Sequence, residues 1–348
     1  MHAVQFTEHG DVDVLSYDAF DDPTVGDDEV LVDVKAGALN HLDVWTRRGL
    51  PGVDLEMPHI PGSDAAGVVS EVGEDVTRFS EGDHVAVTAG RYCGTCEFCR
   101  DGQESLCVNY HLIGEHVRGV HAEQAAVPEE NLVTVPDHVE WHTAAAASLV
   151  FQTAWRMLVT QADVGPGESV LVLGASGGVG HAAVQIADYA GAEVYATAST
   201  EAKLDHAREC GADHVVNYEE VDFASEIRDR TDGRGVDVVV DHVGPATWES
   251  SQKALAKGGR IVTCGATTGA MAETNLNRVF WNQQQILGST MATPGEIDDV
   301  LPLVWDGTFE VHVRDVLPMS EVQRAHAMLE DREGFGKVVV VPDSEHDA

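Results

Sequence analysis

Val170-Leu-Val-Leu-Gly-Ala-Ser-Gly-Gly-Val-Gly180 decides the fold. Four apolar residues of strand type, Val170–Leu173, run directly into a glycine-rich turn, and the residues after it, Val179–Ala190, carry the apolar spacing of a helix closed by Gly191. Glycines at Gly174, Gly177, Gly178 and Gly180, with Ala175 and Val179 between them, let the backbone come close to a pyrophosphate. The free N–H groups and positive end of the helix that follows stabilise its negative charge. A loose glycine pattern elsewhere is only a tight turn; between a strand and the helix it opens, it marks a dinucleotide site.

Downstream, strands and helices keep alternating. Glu193–Thr197 reads as a strand, Glu201–Cys210 as a helix closed by Gly211, His214–Asn217 as a strand and Phe223–Arg230 as a helix. Val236–Val240, a helix over Trp248–Leu255 and a strand at Arg260–Cys264 continue the series, which calls for a parallel, doubly wound α/β sheet. Upstream of residue 150 the pattern differs. Short β-rich pieces, Glu29–Lys35, Ala66–Val72 and His84–Thr88, are separated by Gly, Pro and Asp turns, which suggests a compact antiparallel barrel. Residues 290–348 lose the alternation and are expected to return to that barrel. The chain therefore divides into a barrel domain, 1–150 with 290–348, and a dinucleotide domain, 151–289. With 348 residues, 43% of them hydrophobic, it can fill both cores.

Cys93, Cys96, Cys99 and Cys107 stand in the order C-x2-C-x2-C-x7-C. Thiolates at this spacing can surround one tetrahedral cation without distant help and leave no position open to a substrate. We read a structural zinc that folds a lobe at 90–110; two disulfides or free buried thiols are the alternatives. Cys210 and Cys264 have no partners in sequence and read as small buried apolar residues.

Charge excludes some partners. There are 59 acidic against 21 basic residues, a net charge of −38, a surface that repels nucleic acid and anionic membranes. Acid clusters such as Asp21-Asp22, Asp27-Asp28-Glu29, Glu129-Glu130 and Asp298-Asp299 are scattered along the chain, as in proteins adapted to a high-salt cytosol. The opening MHAVQFTEHG lacks the basic and apolar regions of a leader, and no run approaches the roughly eighteen apolar residues of a membrane span. A soluble, cytoplasmic protein is expected.

Ribose selection follows the second strand of the series, where an acid would bind the hydroxyls of NAD and repel a 2′-phosphate. Ala198 holds that position, followed by Ser199, Thr200 and Lys203. Hydroxyls and a lysine suit a phosphate, so NADP is expected over NAD. The alternative is that Ser199 and Thr200 cap a helix and Lys203 is a surface charge.

Taken together, Gly37-Ala-Leu-Asn40-His-Leu-Asp43, Pro61-Gly62-Ser63-Asp64-Ala-Ala-Gly67, the cysteine quartet, Thr153-Ala154-Trp155, the glycine turn, Gly211-Ala212-Asp213 and Gly336-Lys337 resemble the medium-chain dehydrogenase/reductase superfamily. That superfamily includes zinc alcohol dehydrogenases and zinc-free quinone oxidoreductases. The resemblance implies a chaperonin-10-like (GroES-like) β-barrel domain carrying the zinc lobe, a Rossmann domain, and a cleft between them. It also implies cofactor contacts at Thr153, Tyr218, Val243, Gly265 and Lys337, the last near the phosphates. Relatives commonly form dimers through the edge of the cofactor sheet, or tetramers; here Gln285–Thr290 is a candidate edge strand and could equally be an interior one.

In the alcohol dehydrogenases a catalytic zinc is held by a Cys in the segment matching Asn40, a His matching Ser63 and a Cys or acid near Leu149. None of the three is present, so the resemblance implies an enzyme without catalytic metal that reduces quinones or α,β-unsaturated carbonyls. Aligned candidates are the Asn40 amide and Ser63 hydroxyl as donors and His41 as proton source. Two other readings stay open: an alcohol dehydrogenase recruiting His41, His59, Asp43 and Asp64 to a metal, and an NADPH-binding protein without turnover. Trp45, Phe151 and Trp281 are candidate walls of the substrate pocket.

Overall fold

The computed structural model describes residues 1–332 and 334–346. A six-stranded parallel sheet runs in the order His214–Asn217, Glu193–Ala198, Ser169–Val172, Val236–Val240, Leu255–Thr263, Gln285–Gly288. Ser169–Val172 pairs with Glu193–Ala198 on one side and Val236–Val240 on the other, so the winding reverses at its carboxyl end. Helices Gly178–Tyr189, Glu201–Glu209, Phe223–Arg230 and Pro245–Ala254 form the crossovers. Covered on both faces, Val170, Leu171 and Val172 have no exposure, which is why this strand reads as an unbroken apolar run.

Two boundaries differ from those expected. The helix read over Trp248–Leu255 begins at Pro245, whose fixed φ suits a first turn, and ends at Ala254. The next strand begins at Leu255, because Lys257-Gly258-Gly259, turn-like in sequence, is absorbed by a register shift: Val236 pairs with Leu255 and Val238 with Arg260.

A second sheet runs Val313–Pro318, Lys337–Val341, Glu29–Ala38, Asp64–Val72, His84–Val87, Leu132–Thr134, with Gln124–Pro128 also on Glu29–Ala38. Its pairings are antiparallel except that of Val313–Pro318 with Lys337–Val341. Val30, Val32 and Val34 are buried while Leu31 and Asp33 are not fully so, the period of a strand with one face on a core. The late strand Lys337–Val341 lies beside Glu29–Ala38, Val339 opposite Ala38, and this brings Lys337 to the segment before Asn40.

The helix Trp141–Trp155 is apolar nearly all round and packs on both the helix Gly178–Tyr189 and the strands of the second sheet. Phe151 within it has no exposure and stacks on Phe309 at 5.7 Å between ring centres, so it belongs to the core and not to a pocket wall. Among the described residues, no helix is long and apolar enough to cross a membrane.

Candidate active site in the interdomain cleft

The glycine turn has the shape its sequence requires. Gly174 has φ +58°, and a Cβ on Gly180 would lie 2.2 Å from the Gly174 carbonyl oxygen, so the helix can start this close to the strand only with glycine there. A Cβ on Gly177 would meet nothing nearer than 3.6 Å, which leaves the turn open on that side. Gly174 N–H donates to Thr197 Oγ1 (3.3 Å) and Ala175 N–H to the Thr197 carbonyl (3.0 Å), which anchors the turn to the neighbouring strand. The cradle fits a pyrophosphate at a helix N-terminus. Beside it, fully buried Asp241 accepts from the N–H groups of Val243 and Gly244, both at 3.0 Å, and from Ser251 Oγ at 2.7 Å. These bonds fix the turn that presents His242 and Val243 at the carboxyl end of Val236–Val240, where open α/β sheets bind ligands.

Facing these strand ends is the helix His41–Arg48. Its Asn40 cap donates its own N–H to Asp43 Oδ2 at 2.7 Å. Trp45 reaches across the cleft, its ring edge 3.7 Å from where a Gly265 Cβ would be. Below the helix start lies a buried polar cluster. Lys337 Nζ donates to Asn40 Oδ1 (2.6 Å) and Asp64 Oδ2 (3.2 Å), and Asn40 Nδ2 donates to Asp64 Oδ2 (2.8 Å). Leu149 N–H donates to the other Asp64 oxygen at 3.0 Å. The Lys337 stem runs along the glycine turn, its Cδ 3.0 Å from a Gly178 Cβ position.

Burial governs the titration here. It raises the Asp64 carboxyl against the opposing pull of Lys337 and Asn40, and pushes Asp43 up to about 7. It lowers His41 to about 4, helped by the charges of Arg332, His242 and Lys337, so His41 is a neutral imidazole at pH 7.

An alcohol dehydrogenase GroES-like domain model matches residues 26–137, and a zinc-binding dehydrogenase model matches residues 178–306. An acryloyl-coenzyme A reductase of Sulfurisphaera tokodaii is 32% identical, covering 92% of this chain and 94% of its own. The chain belongs to the medium-chain dehydrogenase/reductase superfamily. A quinone oxidoreductase of Pseudomonas aeruginosa is 30% identical over 97% of the chain and 99% of its own length. The crystal structure of an NAD-dependent alcohol dehydrogenase superposes with a TM-score of 0.94 at 43% identity, covering 98% of this chain and 99% of that one. Like them, this medium-chain dehydrogenase/reductase is an NAD(P)-dependent oxidoreductase of small molecules.

Zinc, which the superfamily implies, fits one of its two expected places. The four sulfurs of Cys93, Cys96, Cys99 and Cys107 lie within 4.8 Å of one another, and none is in a disulfide. Backbone N–H groups point at them: Cys93 N to Cys107 Sγ (3.3 Å), Cys96 N to Cys93 Sγ (3.4 Å), Asn109 N to Cys107 Sγ (3.4 Å). Hydrogen bonds from Thr95 and the Cys96 N–H hold the Cys93 thiol down at about 6, toward the thiolate a metal needs. This medium-chain enzyme thus has the donor set of a structural zinc.

The catalytic place does not fit a metal. An ammonium already sits between Asn40 Oδ1 and Asp64 Oδ2, the Ser63 hydroxyl donates to the Ile113 carbonyl at 2.7 Å, and Leu149 offers no donor atom. The alternative ligand set does not converge either. His59 Nε2 faces the Gly114 carbonyl at 3.2 Å with its ring 5.4 Å from Phe6, and Asp43 is held by the Asn40 N–H.

Other expected contacts scatter along the cleft. Thr153 is buried, its hydroxyl donating to the Leu149 carbonyl (2.6 Å) beside Met291 Sδ (4.0 Å). Tyr218 stands exposed past the end of its strand, its N–H on the Ala198 carbonyl at 3.2 Å. Thr200 caps the next helix, accepting from Lys203 N at 3.4 Å; Ser199 precedes it, partly exposed. Lys203 Nζ donates to the Arg332 carbonyl at 2.8 Å, and its ammonium is lowered by burial and by Arg314 and Arg332. Trp281 is 76% exposed in the short helix Leu276–Asn282 that precedes the edge strand of the cofactor sheet. Sequence reading missed His242, although it stands two residues past a strand end at the switch point. Arg314 and Arg332, whose charges act on Lys203, arrive on the returning chain, and no local signal in the sequence marks them.

Proposed function

We propose that this enzyme reduces α,β-unsaturated carbonyls or quinones with NADPH and without a catalytic metal. What carries the reading is the Lys337–Asn40–Asp64 cluster, a fixed ammonium held by residues in the two segments that resemble the catalytic-zinc segments of the alcohol dehydrogenases. When bound, the nicotinamide supplies the hydride. The glycine turn holds the pyrophosphate, and Trp45 with the helix His41–Arg48 closes the opposite wall. The positive end of the cluster and the N–H of neutral His41 stabilise negative charge developing on a conjugated oxygen, and half-buried His41 lies where solvent can return a proton. Oxidation of a simple alcohol would also need the hydroxyl proton removed, the step a Lewis acid eases and this donor set does not.

The test is NADPH oxidation over panels of enones, quinones and aldehydes, beside alcohol oxidation, with and without added zinc. The expected result is turnover of enones or quinones that zinc leaves unchanged. Alcohol turnover that depends on added zinc would overturn the reading.

The preference for NADPH rests on the ribose side. Ala198 leaves out the acid that would repel a 2′-phosphate, and Lys203 stands near Arg314 and Arg332 in a chain of net charge −38. Lys203→Ala is expected to raise KM for NADPH about tenfold or more while leaving that for NADH within about twofold. Equal effects on both cofactors would reassign Lys203 to a structural role. We also propose that copies pair along the exposed edge of the cofactor sheet and that the protein works in concentrated salt.

A further inference from the structure

Past the glycine turn, on the helix that it opens and the helix after that, three donor atoms converge: His181 Nδ1, His206 Nε2 and Cys210 Sγ. His181 lies in the helix that begins at the turn, His206 in the next helix, and Cys210 at that helix's end. The pairwise separations are 3.1 Å between the nitrogens and 3.2 and 3.6 Å from the sulfur to His181 and His206. A tetrahedral zinc with nitrogens at about 2.0–2.1 Å and a sulfur at about 2.3 Å spaces its ligands about 3.3 Å (N to N) and about 3.6 Å (N to S). The observed triangle is within a few tenths of an ångström of that.

The surrounding contacts orient the donors. His181 Nε2 is 2.6 Å from the Glu310 carbonyl oxygen, which only accepts, and 2.9 Å from Gln185 Nε2, whose own hydrogen goes to that same carbonyl; assigning the His181 hydrogen to Nε2, toward Glu310, leaves Nδ1 with a lone pair facing His206 and Cys210. Gln185 Nε2 donates to the same carbonyl at 2.9 Å while its Oε1 accepts from Glu310 N at 2.8 Å, which fixes that strand of chain. A backbone carbonyl holding the far nitrogen is the support that metal-bound imidazoles ordinarily have. His206 is stacked on Phe335 at 4.2 Å, and Phe151 meets His181 edge-on at 6.3 Å, so neither ring is free to swing away.

We propose that His181, His206 and Cys210 bind one borderline-soft divalent ion of the zinc type, with water in the fourth position. The ion ties together the two helices whose starts hold the pyrophosphate turn and the ribose-side Lys203, and so stiffens the cofactor site.

The full-length protein, loaded with zinc(II) and freed of loose ion, is expected to hold about two zinc per chain, one in the four-cysteine lobe and one here. Cys210→Ala and His206→Gln should each lower the count to about one, whereas Cys264→Ala should leave it at about two. Excess zinc should raise the melting midpoint of the metal-stripped wild type by about 3 °C more than that of Cys210→Ala. Should the variants fail to fold, cobalt(II) titration of the wild type decides. The second equivalent should add a thiolate-to-cobalt band about a quarter as strong as the first, one sulfur against four. A wild-type count of one, a second ion that survives Cys210→Ala, or a second cobalt equivalent without a thiolate band would each overturn the proposal.

Discussion

Lys337 shows how one side chain can serve both faces of a cleft: its stem lies along the glycine turn and its ammonium closes a buried pair with Asp64. Removing one partner of such a pair leaves an uncompensated charge in a poorly solvated place. Lys337→Met should therefore destabilise the protein by about 3–5 kcal/mol near neutral pH, and adding Asp64→Asn should recover most of that. The sign with pH follows from Asp64, whose carboxyl is raised in the fold above its ordinary 3.8. A raised carboxyl favours the folded state while protonated and loses that advantage as pH rises through the folded value. Without Lys337 the shift grows, so the cost of Lys337→Met should be small near pH 4 and largest near pH 8, read by denaturant melts across that range. A pH-independent cost would mean that the lysine matters through its packed stem. This pair was not legible in sequence, where the partners stand 273 positions apart and Lys337 reads as a phosphate ligand. Asn40 and Ser63 could be found by alignment, but not that their donors are already engaged, because engagement depends on Asp64 and Ile113, which the fold brings to them across 24 and 50 positions of chain.

At the scale of elements, the parallel sheet was readable because its inner strands are buried on both faces and its helices are not, so the apolar period switches at each boundary. Where two glycines made a bulge look like a turn, at Gly258-Gly259, the reading lost five residues of strand. The barrel was harder, since Gln124–Pro128 and Leu132–Thr134 are short and Val313–Pro318 joins it from the chain's far end. Gln285–Gly288, which sequence left open between an edge and an interior place, lies at the margin of the cofactor sheet. Among the described residues it pairs on one side only, with Leu255–Thr263, and Ile286, Phe280 and Trp281 beside it are exposed. An open strand edge next to apolar side chains is an unstable surface for a lone chain. Pairing two copies across it would bury both. Ile286→Lys combined with Trp281→Arg should then halve the mass seen by sedimentation while the separated chains stay folded. An unchanged mass would place any association elsewhere.

The whole molecule carries its net charge of −38 on its surface, with Asp21, Asp22, Asp27, Asp28, Glu130, Asp298 and Asp299 all exposed. The arginines are largely spent on local pairs: Arg156 with Glu296, Arg260 with Glu168, Arg118 with Glu56. They cannot neutralise so many carboxylates. At about 0.1 M salt the screening length is about 10 Å, longer than the spacing of acids within these clusters, so their repulsions add and oppose the compact state; near 1 M it falls to about 3 Å and only contact pairs survive. The same screening weakens exposed ion pairs, but each of those contributes at most about 1 kcal/mol, so the repulsive sum dominates. The melting midpoint should accordingly rise by about 5 °C or more between 0.1 and 2 M KCl. Neutralising Asp21, Asp22, Asp27 and Asp28 to Asn together should shift the curve so that less salt reaches the same midpoint. If the wild type melts at the same temperature in dilute and concentrated KCl, surface repulsion is not what limits its stability, and the acidic clusters need another explanation.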